Sequence, residues 1–293
     1  MDQSNLQWQS KAVLLAVLPI AGTELVLETY EWVRQMPSVA IWTLGLSAIL
    51  GLVTMQLRAA TPAAAAAGAL ITANLMFETV TFPYEPWRTA LIPVIAVFLL
   101  AFGSTRVGRR QKERLGTAEK RRGRSAAQVA ANLGVAALVS SAFAQSWFAD
   151  SHWLRHATIV PMPLFAVGLA ALAEAAADTV SSEVGQVLGG RPRTITTLRV
   201  TEPGRDGAIS LAGSLVGVLS AGVVAAAGVQ AMHGGLAMFW IASAGAVFGL
   251  FFDSLLGATL EHRGWLNNDA VNFLSTASAA ALGLILLKVV QLR

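Results

Sequence analysis

The sequence predicts an all-α, polytopic transmembrane helical bundle of about nine spans, and three observations carry that reading. Hydrophobic residues make up 55% of the 293-residue chain and charged residues only 13%, about half the charged share of a soluble domain. Apolar runs near the length of one bilayer crossing, about 20 residues, recur from end to end. Lys and Arg gather on alternate connections, as they do when basic residues are retained on the cytoplasmic side. Strand-like alternation, which would mark an outer-membrane barrel, is absent.

Taken in order, the runs cover residues 10–30, 38–57, 61–80, 87–103, 127–148, 158–177, 208–231, 236–258 and 269–290. The first carries Pro19, Glu24 and Glu28 and the third is alanine-rich. These two depart most from the pattern, so the count ranges from seven to nine. Met1 leads through a polar start into the first run with no small-residue cleavage pattern, which reads as a retained helix. The whole of 1–293 is read as a single integral membrane domain. The chain has no cysteine, so neither disulfides nor thiolate metal sites enter.

Orientation follows from the basic loop at 104–125. It holds Arg106, Arg109, Arg110, Lys112, Arg114, Lys120, Arg121, Arg122 and Arg124 against Glu113 and Glu119. Counting spans outward from a cytoplasmic 104–125 puts Lys11, Arg58, Arg191, Arg193, Arg199, Arg205 and Arg263 on the same side. That makes sixteen of the 21 Lys and Arg and a cytoplasmic N-terminus. Expected localisation is therefore a prokaryotic inner membrane, with polar segments 104–132, 174–210 and 253–272 converging on its cytoplasmic face.

Within that layer the acids reach back into apolar runs, where ionisable groups are costly and point to function. Glu174, Asp178 and Ser182 are spaced four apart and form one helical stripe, with Glu183 beside it. Asp253, Gly257 and Glu261 repeat the pattern on another helix, next to Ser254. Carboxylates that converge in low dielectric repel unless a cation offsets them. Magnesium suits such a site, because it prefers oxygen ligands and is commonly shared with substrate phosphates. The plainer reading makes these residues helix-end groups hydrogen-bonded within the bundle. Asn267, Asn268, Asp269 and Asn272 open the last run and read equally as helix caps or ligands.

The connection from Gly189 to Gly207, with Arg191, Arg193, Thr197 and Arg205, combines glycines that let backbone amides approach an anion with guanidinium forks suited to phosphate. It belongs to an active-site loop at 178–207, and it lacks the Walker-type pattern. Arg109, Arg110, Arg121 and Arg122 are read as partners of anionic headgroups. Arg106, Lys112 and Arg124 are kept as phosphate candidates, since Gln128 and Asn132 continue from Arg124 at four-residue spacing. No aromatic stacking surface accompanies the basic run, so nucleic acid is not an expected partner. His152 and His156 near Asp150 read as an outer surface loop, Glu24, Glu28 and Glu31 as the outer end of the first span, and Gly213 and Gly217 as helix-packing positions.

The motifs Asp178-Thr-Val-Ser-Ser-Glu183-Val-Gly185, Gly190-Arg-Pro-Arg-Thr-Ile-Thr-Thr197, Pro203-Gly-Arg-Asp-Gly-Ala-Ile-Ser210-Leu-Ala-Gly213, Asp253-Ser-Leu-Leu-Gly-Ala-Thr259 and Asn268-Asp-Ala-Val-Asn272 occur in this order between about residues 100 and 290. Together they resemble the transmembrane protein nineteen family, which includes the plant phytyl-phosphate kinase of vitamin E synthesis. The resemblance implies a kinase that transfers a phosphoryl group from a nucleoside triphosphate, CTP in the related alcohol kinases, to a prenyl monophosphate such as phytyl phosphate. The implied assignment gives Asp178, Glu183 and Asp253 to catalysis and Mg2+. Arg106, Lys112, Arg124, Asn132, Arg191, Arg193, Thr197, Arg205, Asn268 and Asn272 go to substrate and nucleotide phosphates. Expected partners are the prenyl phosphate lipid, the nucleotide and membrane lipids, with a homo-oligomer left open. A transporter or flippase for a phosphorylated lipid is the alternative, but it calls for acids near the midplane and an inverted repeat. A CDP-alcohol phosphotransferase would continue Asp206-Gly207-Ala208 differently.

Overall fold

The computed structural model describes residues 6–117, 123–150 and 162–291. Lys120, Arg121, Arg122, His152 and His156 lie outside the described residues. Among the described residues the chain forms α1 (Gln7–Gln35), α2 (Pro37–Gln56), α3 (Pro62–Phe77), α4 (Leu91–Arg106), α5 (Arg109–Leu115), α6 (Ala126–Ser140), α7 (Ala142–Asp150), α8 (Pro163–Leu188), α9 (Leu211–Met232), α10 (Leu236–Leu256) and α11 (Asn268–Gln291). A π-helical turn, Gly257–Glu261, extends α10. A small antiparallel hairpin pairs β1 (Arg193–Thr194) with β2 (Ala208–Ile209), an addition to the all-helical expectation.

Each expected run coincides with a helix or a bent pair, and the count of full crossings is lower than nine. Among the described residues six helices are long and apolar enough to cross a membrane, and the bent pairs α4–α5 and α6–α7 raise this to eight. The third run falls short because α3 has only 16 residues, about 24 Å of rise against a hydrocarbon core of about 30 Å.

At the centre stands α8. Its alanine-rich stretch from Ala166 to Ala177 is buried almost throughout, and α4, α6, α9, α10 and α11 all pack against it. Small residues make that density attainable, because lipid supplies no hydrophobic drive and helices must gain by close contact. Gly217 of α9 illustrates this: a Cβ there would lie 3.0 Å from the Ala177 carbonyl oxygen and 2.9 Å from Ser181 Cβ. The packing role expected for Gly213 and Gly217 is the one observed.

Long-range contacts sort the chain into two ends. At one end Gln9 donates to the Trp265 carbonyl at 2.8 Å, the Arg124 amide donates to the Ala59 carbonyl at 2.9 Å, Lys112 pairs with Glu183 and Arg205 meets His262 at 3.2 Å. This basic end collects the chain start, residues 57–61 and all three expected polar segments. At the other end Glu24 and Glu78 accept from the start of α7, and Thr43 meets Tyr84 at 3.2 Å.

Candidate active site

The acids of α8 and α10 meet inside the basic end. Asp178 and Asp253 are within hydrogen-bonding reach of one another, and Ser182 lies one turn beyond Asp178 at 3.4 Å. Glu174, only 1% exposed, sits one turn deeper. Ser275 of α11 is within reach of both Glu174 and Asp253. Local sequence explains the geometry. Four-residue spacing stacks Glu174 and Asp178 on one face of α8, and Gly249 leaves room for them from α10. A Cβ on Gly249 would come within 2.5 Å of Glu174 Cγ and 2.9 Å of the Ser275 carbonyl oxygen.

Two oxygens of this group, Glu174 Oε1 and Asp253 Oδ1, are buried without a hydrogen-bond partner. Buried polar atoms are rarely left so. Carboxylates at this separation repel unless a positive species lies between them. A divalent ion with oxygen ligands suits the facing pair Asp178 and Asp253, which are the residues that would hold it together with substrate phosphates. Glu174, one turn deeper, does not close a three-carboxylate cage with them.

The arginine side of the site is built by a second, local arrangement. Gly123, at a φ of 77°, turns the chain so that Arg124 pairs with Ala60 in an isolated parallel bridge. Ser125 and Gln128 then close a capping box at the start of α6. Held this way, Arg124 donates to the Thr179 hydroxyl at 3.2 Å, directly beside Asp178. The same residue lines a cavity of about 460 Å³ between α2, α3, α4 and α6. Gly51, Ala64, Gly68, Val97, Phe98 and Leu133 give that cavity an apolar wall, and Arg58, Arg106, Arg109 and Arg124 line it together with Asn132. Arg106 is aimed by stacking on the Phe102 ring, 3.3 Å from its centroid, while Arg109 pairs with Glu113 at 3.1 Å.

Several residues assigned from sequence sit elsewhere. Glu183 is committed to Lys112, a fully buried lysine that also donates to the Ser104 carbonyl at 2.9 Å. This pair clamps α5 to α8, because a buried ammonium requires a counter-charge, and it holds the two residues to each other while Glu183 still acts electrostatically on Asp178. Arg193 donates to the Leu198 carbonyl at 2.7 Å and so braces its own hairpin. Thr197 and Arg191 are exposed. Asn268 is exposed, whereas its neighbour Asn267 caps α11 through the Ala270 amide at 2.9 Å and ties it to the chain start through the Leu6 carbonyl at 2.8 Å. Asn272 lies half-buried on the first turns of α11, one turn before Thr276. Arg205 lies at the end of the π turn: Gly207, at a φ of 68°, presses against Ala258, and this close approach sets Arg205 at His262 and Asp206 near Glu261.

Residues the sequence did not single out as site groups are Arg58, Ser275 and Gly249. Arg58 had a signal, as a lone basic residue between two apolar runs. The other two act through contacts between helices far apart in sequence and carry none.

Fold and site together define a helical integral membrane protein whose central helix carries acids toward an arginine-lined cavity. The chain belongs to the integral membrane protein family DUF92, whose model matches residues 45–280. The family resemblance read from the motifs is thereby established as membership. The chain is 38% identical over 118 residues to the uncharacterized membrane protein MJ0933 of Methanocaldococcus jannaschii, covering 40% of this chain and 49% of that one. It is 33% identical over 207 residues to the uncharacterized membrane protein sll0875 of Synechocystis, covering 68% and 73%. The protein VTE6, chloroplastic, of Arabidopsis thaliana is 29% identical over 221 residues, covering 68% of this chain and 60% of the plant protein. The matches thus span about half of the archaeal relative and three-fifths of the plant one. No solved structure matches the chain.

Proposed function

We propose that this protein is a prenyl monophosphate kinase that transfers a phosphoryl group from a nucleoside triphosphate, CTP in our reading, to a membrane-embedded prenyl phosphate such as phytyl phosphate. The observation that carries the proposal is the position of Arg124, which touches Thr179 beside Asp178 and also lines the apolar cavity. A lipid phosphate seated there would have its chain among apolar side chains and its charge under Arg58, Arg106 and Arg124, within reach of the acids.

Phosphoryl transfer to a phosphate monoester needs little covalent help. It needs two polyanions aligned and their charge neutralised. The acceptor is already ionised near neutral pH, so the site requires no strong base, which agrees with an inward-facing set of acids and arginines. Planar guanidinium forks suit phosphate oxygens, and Arg124 is oriented by two backbone hydrogen bonds to residues 59 and 61 and by Thr179. Magnesium, held by Asp178 and Asp253, would supply the charge neutralisation that links acids to phosphates. Arg205, beside Glu261 and His262, is the candidate for the nucleotide side of the site. In this reading the basic end faces the cytoplasm, where nucleotides are available, and the host membrane is a prokaryotic inner membrane. Acids gathered at one end with arginines favour transfer chemistry over a transport cycle, which would set its coupling acids near the midplane.

The test is direct. Purified protein with phytyl or geranylgeranyl phosphate, magnesium and each nucleoside triphosphate in turn should release the prenyl diphosphate, detected by mass spectrometry. Absence of diphosphate from every pairing would refute the proposal.

A further inference from the structure

The opposite end of the bundle carries a second group of acids that the kinase reading does not use. Glu24 and Glu28 lie one turn apart on α1, and Glu78 immediately follows α3. One carboxylate oxygen from each lies within 4.8 Å of the others. The sequence placed Glu24 and Glu28 in the outer rim of the first span, yet Glu24 is only 9% exposed and faces inward. Its Oε1 accepts from the Phe143 amide at 3.2 Å. Glu78 accepts from the Ala142 amide at 2.7 Å and from Gln145 Nε2 at 2.6 Å. Glu28 accepts from Trp32 Nε1 at 3.0 Å. Each carboxylate is thus held by at least one hydrogen bond, as metal-ligating carboxylates usually are.

An independent observation lies in the same place. Asn74, 4% exposed, donates its Nδ2 to the Ala21 carbonyl at 2.8 Å, and its Oδ1 is buried without a partner. Asn74 lines, with Glu24, Glu78 and Ser141, a cavity of about 10 Å³. That volume is at the lower limit for one water, and a bare cation is smaller.

We propose that Glu24, Glu28, Glu78 and the Asn74 amide oxygen form a divalent-cation site of the calcium type, which ties α1 to α3 and to the α6–α7 junction. Two oxygens on opposite sides of a calcium ion, each about 2.4 Å away, are about 4.8 Å apart, so carboxylate oxygens no farther apart than this fall within the reach of one ion. The charge balance agrees. The α7 N-terminus offers about half a positive charge, and among the described residues none of the three glutamates makes an ion pair with Lys or Arg. The group therefore lacks the counter-charge that a bound cation would supply. This site is independent of the proposed kinase chemistry and lies at the other end of the molecule.

Trp32 supplies the readout, because its indole is bonded to Glu28 and can sensitise terbium bound there. With full-length protein stripped by chelator, terbium excited through tryptophan should give saturable emission that calcium displaces. Trp32→Phe should remove that emission while leaving the calcium-induced rise in melting temperature. Glu24→Gln/Glu78→Gln should weaken calcium at least tenfold, and Glu28→Gln alone should do so in part if the double variant fails to fold. Asp253→Asn should leave calcium binding unchanged. No saturable emission and no calcium-dependent shift in the native protein would overturn the proposal, as would emission that survives in Trp32→Phe.

Discussion

Both ends of this bundle bring three carboxylates together, yet only one end surrounds them with arginines and space. At the basic end Glu174, Asp178 and Asp253 stand beside Arg124 and a cavity of about 460 Å³. At the other, Glu24, Glu28 and Glu78 close around about 10 Å³ and take their hydrogen bonds from backbone amides, an amide side chain and an indole. Acids alone favour a cation. Acids with guanidinium groups and an apolar cavity also suit a phosphorylated lipid, and that addition separates the proposed catalytic layer from the proposed structural clip.

The comparison can be broken most severely at the acids. Asp253→Asn should lower phosphoryl transfer about ten-thousandfold, the order expected for a member of a catalytic constellation, with little change in melting temperature. Asp178→Asn should behave alike, and near-normal turnover in either would move the site elsewhere. Next in size is the buried clamp. Lys112→Met should cost about 3–5 kcal/mol of stability by stranding Glu183, and the double variant Lys112→Met/Glu183→Leu should recover much of it, as read by thermal melting in detergent. If the single variant loses activity at unchanged stability, Lys112 acts on phosphate after all.

Arg124 sharpens the contrast between the ends. Arg124→Ala should reduce transfer about a hundredfold to a thousandfold, and Arg124→Lys should restore only part, because a point charge lacks the planar fork. A lysine that restores full activity would reduce the residue to a generic charge. The smallest effect belongs to helix packing: Gly249→Ala should destabilise by about 1–3 kcal/mol and raise KM or lower kcat by displacing Glu174, whereas Gly222→Ala, where a Cβ meets nothing within 4 Å, should be silent.

What the sequence reveals divides along physical lines. Apolar length and basic connections report on the bilayer itself, so the helices and the end at which Asp178, Asp253 and Arg124 meet were legible from residue order alone. Glu174 was visible as part of a stripe, because helical periodicity is local. Lys112 with Glu183 was not, since the partners are 71 positions apart and each looks individually like a surface group or a ligand. Ser275 and Gly249 serve the site through the α8–α10–α11 contact, which leaves no local pattern. Glu78 was hidden for a similar reason: it lies just beyond a short helix, and only the fold sets it against α1.

The central claim is that the basic end, and only that end, performs phosphoryl transfer. The most direct measurement follows the γ-phosphate of labelled nucleotide into prenyl diphosphate in proteoliposomes containing the native protein, Asp253→Asn or Glu78→Gln. The account predicts transfer by the native protein and by folded Glu78→Gln, and none above background by Asp253→Asn. Transfer by none of the three, or equal loss in both variants, would contradict it.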